Sequence, residues 1–162
     1  MKLEWMGNHR ELVEKFILLF NTYARQYSGE HRLEGTDVVT SSAQIQTLEY
    51  IIEADGSVNM SSIANRIGIT RGTFSNNVKK LMEKGYLEKY QEEGNSKNIY
   101  IRATDEGMKA YEEYAKFIYE EWFREMFALA DTMPEEQIKT LEKILDGFTN
   151  AFNNDGKHWK ER

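Results

Sequence analysis

The side chains best suited to recognising another molecule are gathered in one run, Arg71-Gly72-Thr73-Phe74-Ser75-Asn76-Asn77-Val78-Lys79-Lys80. Phe74, Val78 and Leu81 recur at i, i+4 and i+7, so Arg71 to Lys84 reads as a helix with one apolar face. The opposite face carries Gly72, Ser75, Asn76, Lys79 and Lys80, small, amide and basic groups in place of the Glu/Lys mixture of an ordinary solvated helix. Residues 60–104 hold eight Lys/Arg against four Glu, although the whole chain has net charge −6. A basic segment inside an acidic chain is the electrostatic footprint of a face that meets a polyanion. The competing reading is a Lys-rich face that is merely solvated.

Catalytic chemistry finds little material. There is no G-x-S-x-G elbow and no phosphate-binding glycine loop. With no Cys, the chain has no disulfide, no thiolate metal site and no thiol oxidation switch, and it suits a reducing compartment. His9, His31 and His158 share no helical spacing, so no metal site is expected. Glu112-Glu113 and Glu120-Glu121 imitate paired carboxylates, but neighbours on a helix point about 100° apart and form its wet side. The expectation is therefore a protein that is not an enzyme and needs no cofactor. The N-terminus lacks a signal-peptide apolar region and no stretch approaches 18 uncharged apolar residues, which predicts a cytoplasmic chain without membrane association.

The elements that must position the basic helix follow from length and periodicity. The 162 residues, 40% hydrophobic with a single Pro, predict one mostly helical domain over 1–162. Leu12, Phe16, Leu19, Phe20, Tyr23 and Tyr27 mark a helix over 8–27, and the aperiodic stretch 28–39 reads as a loop. A capping box, Ser41 with Gln44, opens a second helix bearing Ile45, Leu48 and Ile52, which Asp55-Gly56 closes. Asn59 can cap a short helix whose Ile63, Ala64 and Ile67 face inward. Gly68 then reverses the chain and Thr70 caps the Arg71 helix, completing a helix-turn-helix. Beyond Gly85 the period drops to two: Leu87 opens one strand, Ile99, Ile101 and Ala103 alternate with Tyr100 and Arg102 in another, and Glu92 to Asn98 forms the turn. Thr104 caps a long helix to about Ala130, with Tyr111, Tyr114, Ala115, Ile118, Trp122 and Met126 along one side. Pro134 starts a last helix striped by Ile138, Leu141, Leu145, Phe148 and Phe152, followed by a polar tail from Asn153. The fold class is thus mainly α with a small β-hairpin wing, a winged helix-turn-helix over 41–104. Helices at 8–27 and 105–152 carry more apolar stripe than a lone winged helix needs, which points to a homodimer.

The stretch Ile63-Ala64-Asn65-Arg66-Ile67-Gly68-Ile69-Thr70, with Thr73, Leu81, Gly85, Tyr86 and Leu87 behind it and Ala103-Thr104-Asp105-Glu106-Gly107 further on, resembles the MarR family of winged-helix transcription regulators over nearly the whole chain. The resemblance implies a cytoplasmic homodimer on double-stranded DNA. Each subunit places the Arg71 helix in a major groove of a pseudo-palindromic operator, most often as a repressor. Because the N-terminal part of such a helix enters the groove, Arg71, Thr73, Ser75 and Asn76 are the base-edge candidates, and Lys79 and Lys80 are assigned to phosphates. The family's wing commonly carries D-x-R where this chain has Asn95, Ser96 and Lys97. A compact ammonium replaces a guanidinium suited to a narrow minor groove, so wing contacts are expected to be weaker or less selective, and Lys97 also reads as a solvated hairpin tip. The family further implies a small organic effector between the dimerisation helices and the winged helix. Tyr23, Tyr27, Trp122 and Phe123 suit such a cavity, as they equally suit packed core. The alternative function is a winged-helix module that binds protein and not DNA.

Overall fold

The computed structural model describes residues 4–27, 29–54, 60–91 and 100–155, and the chain divides after Phe117 into two compact units. In the first unit a 3-10 turn, Glu4–His9, leads into α1 (Arg10–Tyr27). The two-residue strands β1 (His31–Arg32) and β2 (Val39–Thr40) pair antiparallel ahead of α2 (Ser42–Ala54), α3 (Met60–Ile67) and α4 (Arg71–Glu83). β3 (Leu87–Tyr90) and β4 (Tyr100–Ala103) form an antiparallel hairpin in which Leu87 faces Ala103 and Tyr90 faces Tyr100. α5 (Asp105–Ile118) follows. In the second unit a π-helical turn, Tyr119–Phe123, precedes α6 (Arg124–Ala130) and α7 (Glu135–Asp155).

The core of the winged helix is built by the residues whose spacing announces it. Ile45, Leu48 and Ile51 of α2 close on Ile63 and Ala64 of α3, on Phe74, Val78 and Leu81 of α4, and on Leu87 of β3. Each large side chain buried this way contributes about 1.5–3 kcal/mol relative to exposure, which fixes α4 against α2 and α3. Gly68 takes φ +79°, the left-handed conformation that lets α3 stop and α4 start within three residues. At the hairpin's exit the Thr104 hydroxyl donates to the Gly85 carbonyl at 2.6 Å and accepts the Gly107 amide at 3.0 Å, capping α5. Gly107 packs so closely on the Tyr86 carbonyl that a Cβ would lie 2.1 Å from its oxygen.

Four expectations are corrected. The stretch 28–39 holds a ribbon, whose Leu33 and Val38 are buried with Ala110 and flanked by Tyr86, Tyr114 and Phe117. Strands of two residues are too short to show alternation. The capping box is half formed: Ser41 Oγ accepts the Gln44 amide at 3.3 Å, but the Gln44 side chain goes to Glu30 and Lys84 instead of back to Ser41. Hydrogen bonds to charged partners outweigh one to a neutral amide. In α2 it is Ile51 that is buried, with Ile52 half-buried. Finally, the helix predicted to run unbroken to Ala130 contains the π turn, where the Arg124 amide bonds the Tyr119 carbonyl. The turn adds one residue to the hydrogen-bond ladder; Trp122 and Met126 are exposed, as are Tyr119, Phe127 and Leu129. Asp55, Gly56, Asn59, the hairpin turn 92–98, Ile99, His158 and Trp159 lie outside the described residues.

Among the described residues no helix is long and apolar enough to cross a membrane, and no group of three His, Asp or Glu could hold a metal ion.

Candidate nucleic-acid interface

α4 begins where Thr70, in extended conformation, turns its hydroxyl onto the Thr73 amide at 3.1 Å. Along α4 the positions 74, 77, 78 and 81 form the buried face, and Arg71, Gly72, Thr73, Ser75, Asn76 and Lys79 are exposed. The backbone thus presents a guanidinium, hydroxyls, an amide and an ammonium along the first two turns, with nothing apolar between them. Among the described residues Arg71, Ser75 and Asn76 make no side-chain hydrogen bond or ion pair, which leaves their donors and acceptors to an incoming partner. Thr73 differs, since its hydroxyl shares a 2.9 Å hydrogen bond with that of Thr70 and so belongs partly to the cap.

The cations sort into two groups. Lys79 meets Glu83 at 3.8 Å one turn on, a surface pair worth about 0.5 kcal/mol or less and readily exchanged for a phosphate. Lys80 is half-buried, 3.9 Å from Glu30. Arg66, by contrast, is committed to the fold: its guanidinium lies 4.6 Å from the Tyr50 ring centre and bonds both Glu53 carboxylate oxygens, at 2.9 and 3.0 Å. Arg102 repeats the arrangement at the base of the wing, with Glu88 at 2.8 Å and the Tyr90 ring centre at 4.9 Å. Asn95, Ser96 and Lys97 lie outside the described residues.

Sequence reasoning missed the polar groups that hold α4 in place. Asn77 is buried and donates to the Ala43 carbonyl at 3.2 Å and to the Thr47 hydroxyl at 3.0 Å, tying α4 to α2. Its signal was available, because it occupies the i+3 slot of the Phe74, Val78, Leu81 stripe. At the end of α4 the Lys84 ammonium donates to the Val39 carbonyl at 2.9 Å and to Gln44 Oε1 at 2.6 Å, and lies 3.1 Å from Glu30. Gln44 and Lys84 hydrogen bonds hold the Glu30 carboxyl below its ordinary range.

The aromatic groups proposed for an effector divide between the two units. Tyr23 and Tyr27 pair at 5.3 Å between ring centres, and Tyr27 donates to Gln46 at 2.8 Å. Tyr114 donates to Ser42 at 2.8 Å. Burial, then the neighbouring Tyr27 and Tyr114, push the Tyr23 phenol up to about 12. In the second unit Phe123 stacks on Phe127 at 5.7 Å, and Trp122 is exposed.

Residues 39–97 match the family model described as MarR family. Over 88 residues the chain is 29% identical to the uncharacterized HTH-type transcriptional regulator YhjH of Bacillus subtilis (strain 168), a stretch that takes in 54% of this chain and 50% of that protein. The chain therefore spans half the length of that curated relative. Wild-type ZitR of Lactococcus lactis, in complex with DNA, superposes with a TM-score of 0.63 at 16% identity, covering 91% of this chain and 99% of that one. PcaV of Streptomyces coelicolor, in complex with its natural ligand, gives 0.59 at 20% identity, with coverages of 91% and 96%. At these identities the two structures speak for the fold.

Proposed function

We propose that this chain, whose residues 39–97 match the MarR family model, is a transcriptional regulator of that family that binds double-stranded DNA as a cytoplasmic homodimer and represses by occluding a pseudo-palindromic operator. The observation that carries this reading is the solvent face of α4, where Arg71, Ser75 and Asn76 stand exposed and uncommitted while the buried face anchors the helix. Arg71 suits guanine, Asn76 suits adenine, and Lys79 and Lys80 suit phosphate. The wing, through Asn95, Ser96 and Lys97, adds a weaker contact. Dimerisation is supported by apolar side chains left on the surface of each unit, among them Leu18, Leu19 and Tyr23 of α1 and Leu141, Leu145 and Phe152 of α7. A small organic effector acts as the releasing signal, and the DNA complex of ZitR and the ligand complex of PcaV make both kinds of partner reasonable for this fold.

The test is binding to duplex DNA as salt is varied, followed by selection of preferred sequences. Several phosphates neutralised per dimer give a log–log slope several units negative, and half-sites fall about one helical turn apart. Arg71→Ala or Asn76→Ala should relax one base position each, by about 1–3 kcal/mol if the contact is bidentate. Lys79→Ala and Lys97→Ala should weaken all sequences alike. A flat salt response would instead assign the helix to a protein partner.

A further inference from the structure

The end of α4 is bolted to two other elements by a polar cluster centred on Lys84, a residue with no place in the contacts proposed above. Lys84 is the residue just past α4, mostly buried, and its ammonium has three acceptors around it: the Val39 carbonyl of β2 at 2.9 Å, Gln44 Oε1 of α2 at 2.6 Å and the Glu30 carboxylate at 3.1 Å. Three N–H groups meeting three oxygens leave the ammonium no donor for a phosphate. Glu30 in turn accepts from the buried Gln44 amide and reaches Lys80 at 3.9 Å. Asn77 ties the middle of the same helix to α2, while the N-terminal end that carries Arg71 has, among the described residues, only the Thr70 cap as a polar anchor. With one polar anchor in the middle of α4 and a second at its end, rotation of the helix about its own axis is opposed at two points.

We propose that Lys84, held by Glu30 and Gln44, is a positioning residue for the reading helix: it sets the rotation of α4, and with it the aim of Arg71 and Asn76, without touching DNA. This rests on α4 reading DNA as proposed above. A lysine counted among the basic groups of the segment thereby belongs to the fold, and Glu30, distant in sequence, becomes a determinant of base selectivity.

The experiment uses the full chain and the operator recovered by selection, and compares wild type, Lys84→Met, Glu30→Gln and the double variant. Specific and nonspecific affinities and the salt slope are measured for each. For Lys84→Met the preference for operator over random duplex should fall by roughly tenfold, the scale of one weakened base contact, with an unchanged salt slope. A slope reduced by about one unit would make Lys84 a phosphate contact and overturn the assignment. So would an unchanged preference. Glu30→Gln should lower the preference by a smaller factor, and the double variant should be no worse than Lys84→Met alone, because the two act through one cluster. Additive losses would overturn the coupling. Should Lys84→Met fail to fold, Glu30→Gln decides by itself: a lowered preference at an unchanged salt slope supports the proposal, and an unchanged preference, or a slope steepened by a Lys80 freed for phosphate, refutes it. Wild type that lacks salt-dependent, sequence-selective binding would instead refute the DNA-reading function, an outcome distinct from all of these.

Discussion

Replacing Gly107 with Ala tests how the wing is locked to α5. In an unpacked helix the substitution stabilises by up to about 1 kcal/mol, because Gly loses more backbone entropy than Ala. At Gly107 a Cβ would sit 2.1 Å from the Tyr86 carbonyl oxygen and 2.9 Å from its carbon. Both are backbone atoms, so no side chain can swing aside and the main chain must retreat by about 1 Å. That same carbonyl accepts the Thr104 amide at 3.1 Å, and Thr104 Oγ1 bonds both Gly85 and Gly107. Overpacking costs about 1–3 kcal/mol and a loosened hydrogen bond about 1 kcal/mol more, against the gain in helix propensity. The expected net is a loss of about 1–3 kcal/mol, or a Tm lower by roughly 2–10 °C for a chain of this length. Gly147 of α7 is the control, since a Cβ there meets nothing within 4 Å. Gly147→Ala should raise stability by up to about 1 kcal/mol. Urea unfolding read as midpoint shifts at constant slope measures both. If both substitutions raise the midpoint alike, the Tyr86 contact does not constrain the junction and the reasoning fails.

Three further outcomes are expected. Asn77→Leu removes two buried hydrogen bonds to α2 and should cost about 1–3 kcal/mol, while Asn77→Asp, which turns a carboxylate toward the Ala43 carbonyl, should cost more at neutral pH; the two unfolding midpoints in reverse order would refute the anchor. Because hydrogen bonds from Gln44 and Lys84 lower the Glu30 pKa below its ordinary 4.5, the stability this group contributes is complete above that value and is lost as pH falls through the folded value. Glu30→Gln should therefore flatten the acid limb of the stability curve, and identical acid limbs in urea titrations would contradict it. Leu145→Asp, on the exposed stripe of α7, should give a monomeric or unfolded protein with little operator binding; light scattering and a shift assay that show a normal dimer binding normally would remove this stripe from the interface.

The winged helix was readable from its residues because burial of apolar groups is local and periodic. Phe74, Val78 and Leu81 lie on one face at any tertiary arrangement of a helix, Gly68 and Thr70 punctuate the turn by their own backbone preferences, and Thr104 caps α5 for the same reason. The exposed set Arg71, Ser75, Asn76 and Lys79 follows as the complement of that face. Polar anchoring has no such period. Lys84 and Gln44 stand 40 residues apart and Asn77 and Ala43 stand 34 apart, so only folding brings these donors to their acceptors. Charge counting could not separate Arg66, Arg102 and Lys84, each neutralised by a carboxylate of the same chain, from Arg71, which has none among the described residues. Nor could spacing foresee the π turn at Tyr119–Phe123, where a single extra residue enters the hydrogen-bond ladder. Short-range preferences write the helices and their apolar faces into the sequence; which cations remain available to a polyanion depends on partners that the folded chain alone supplies.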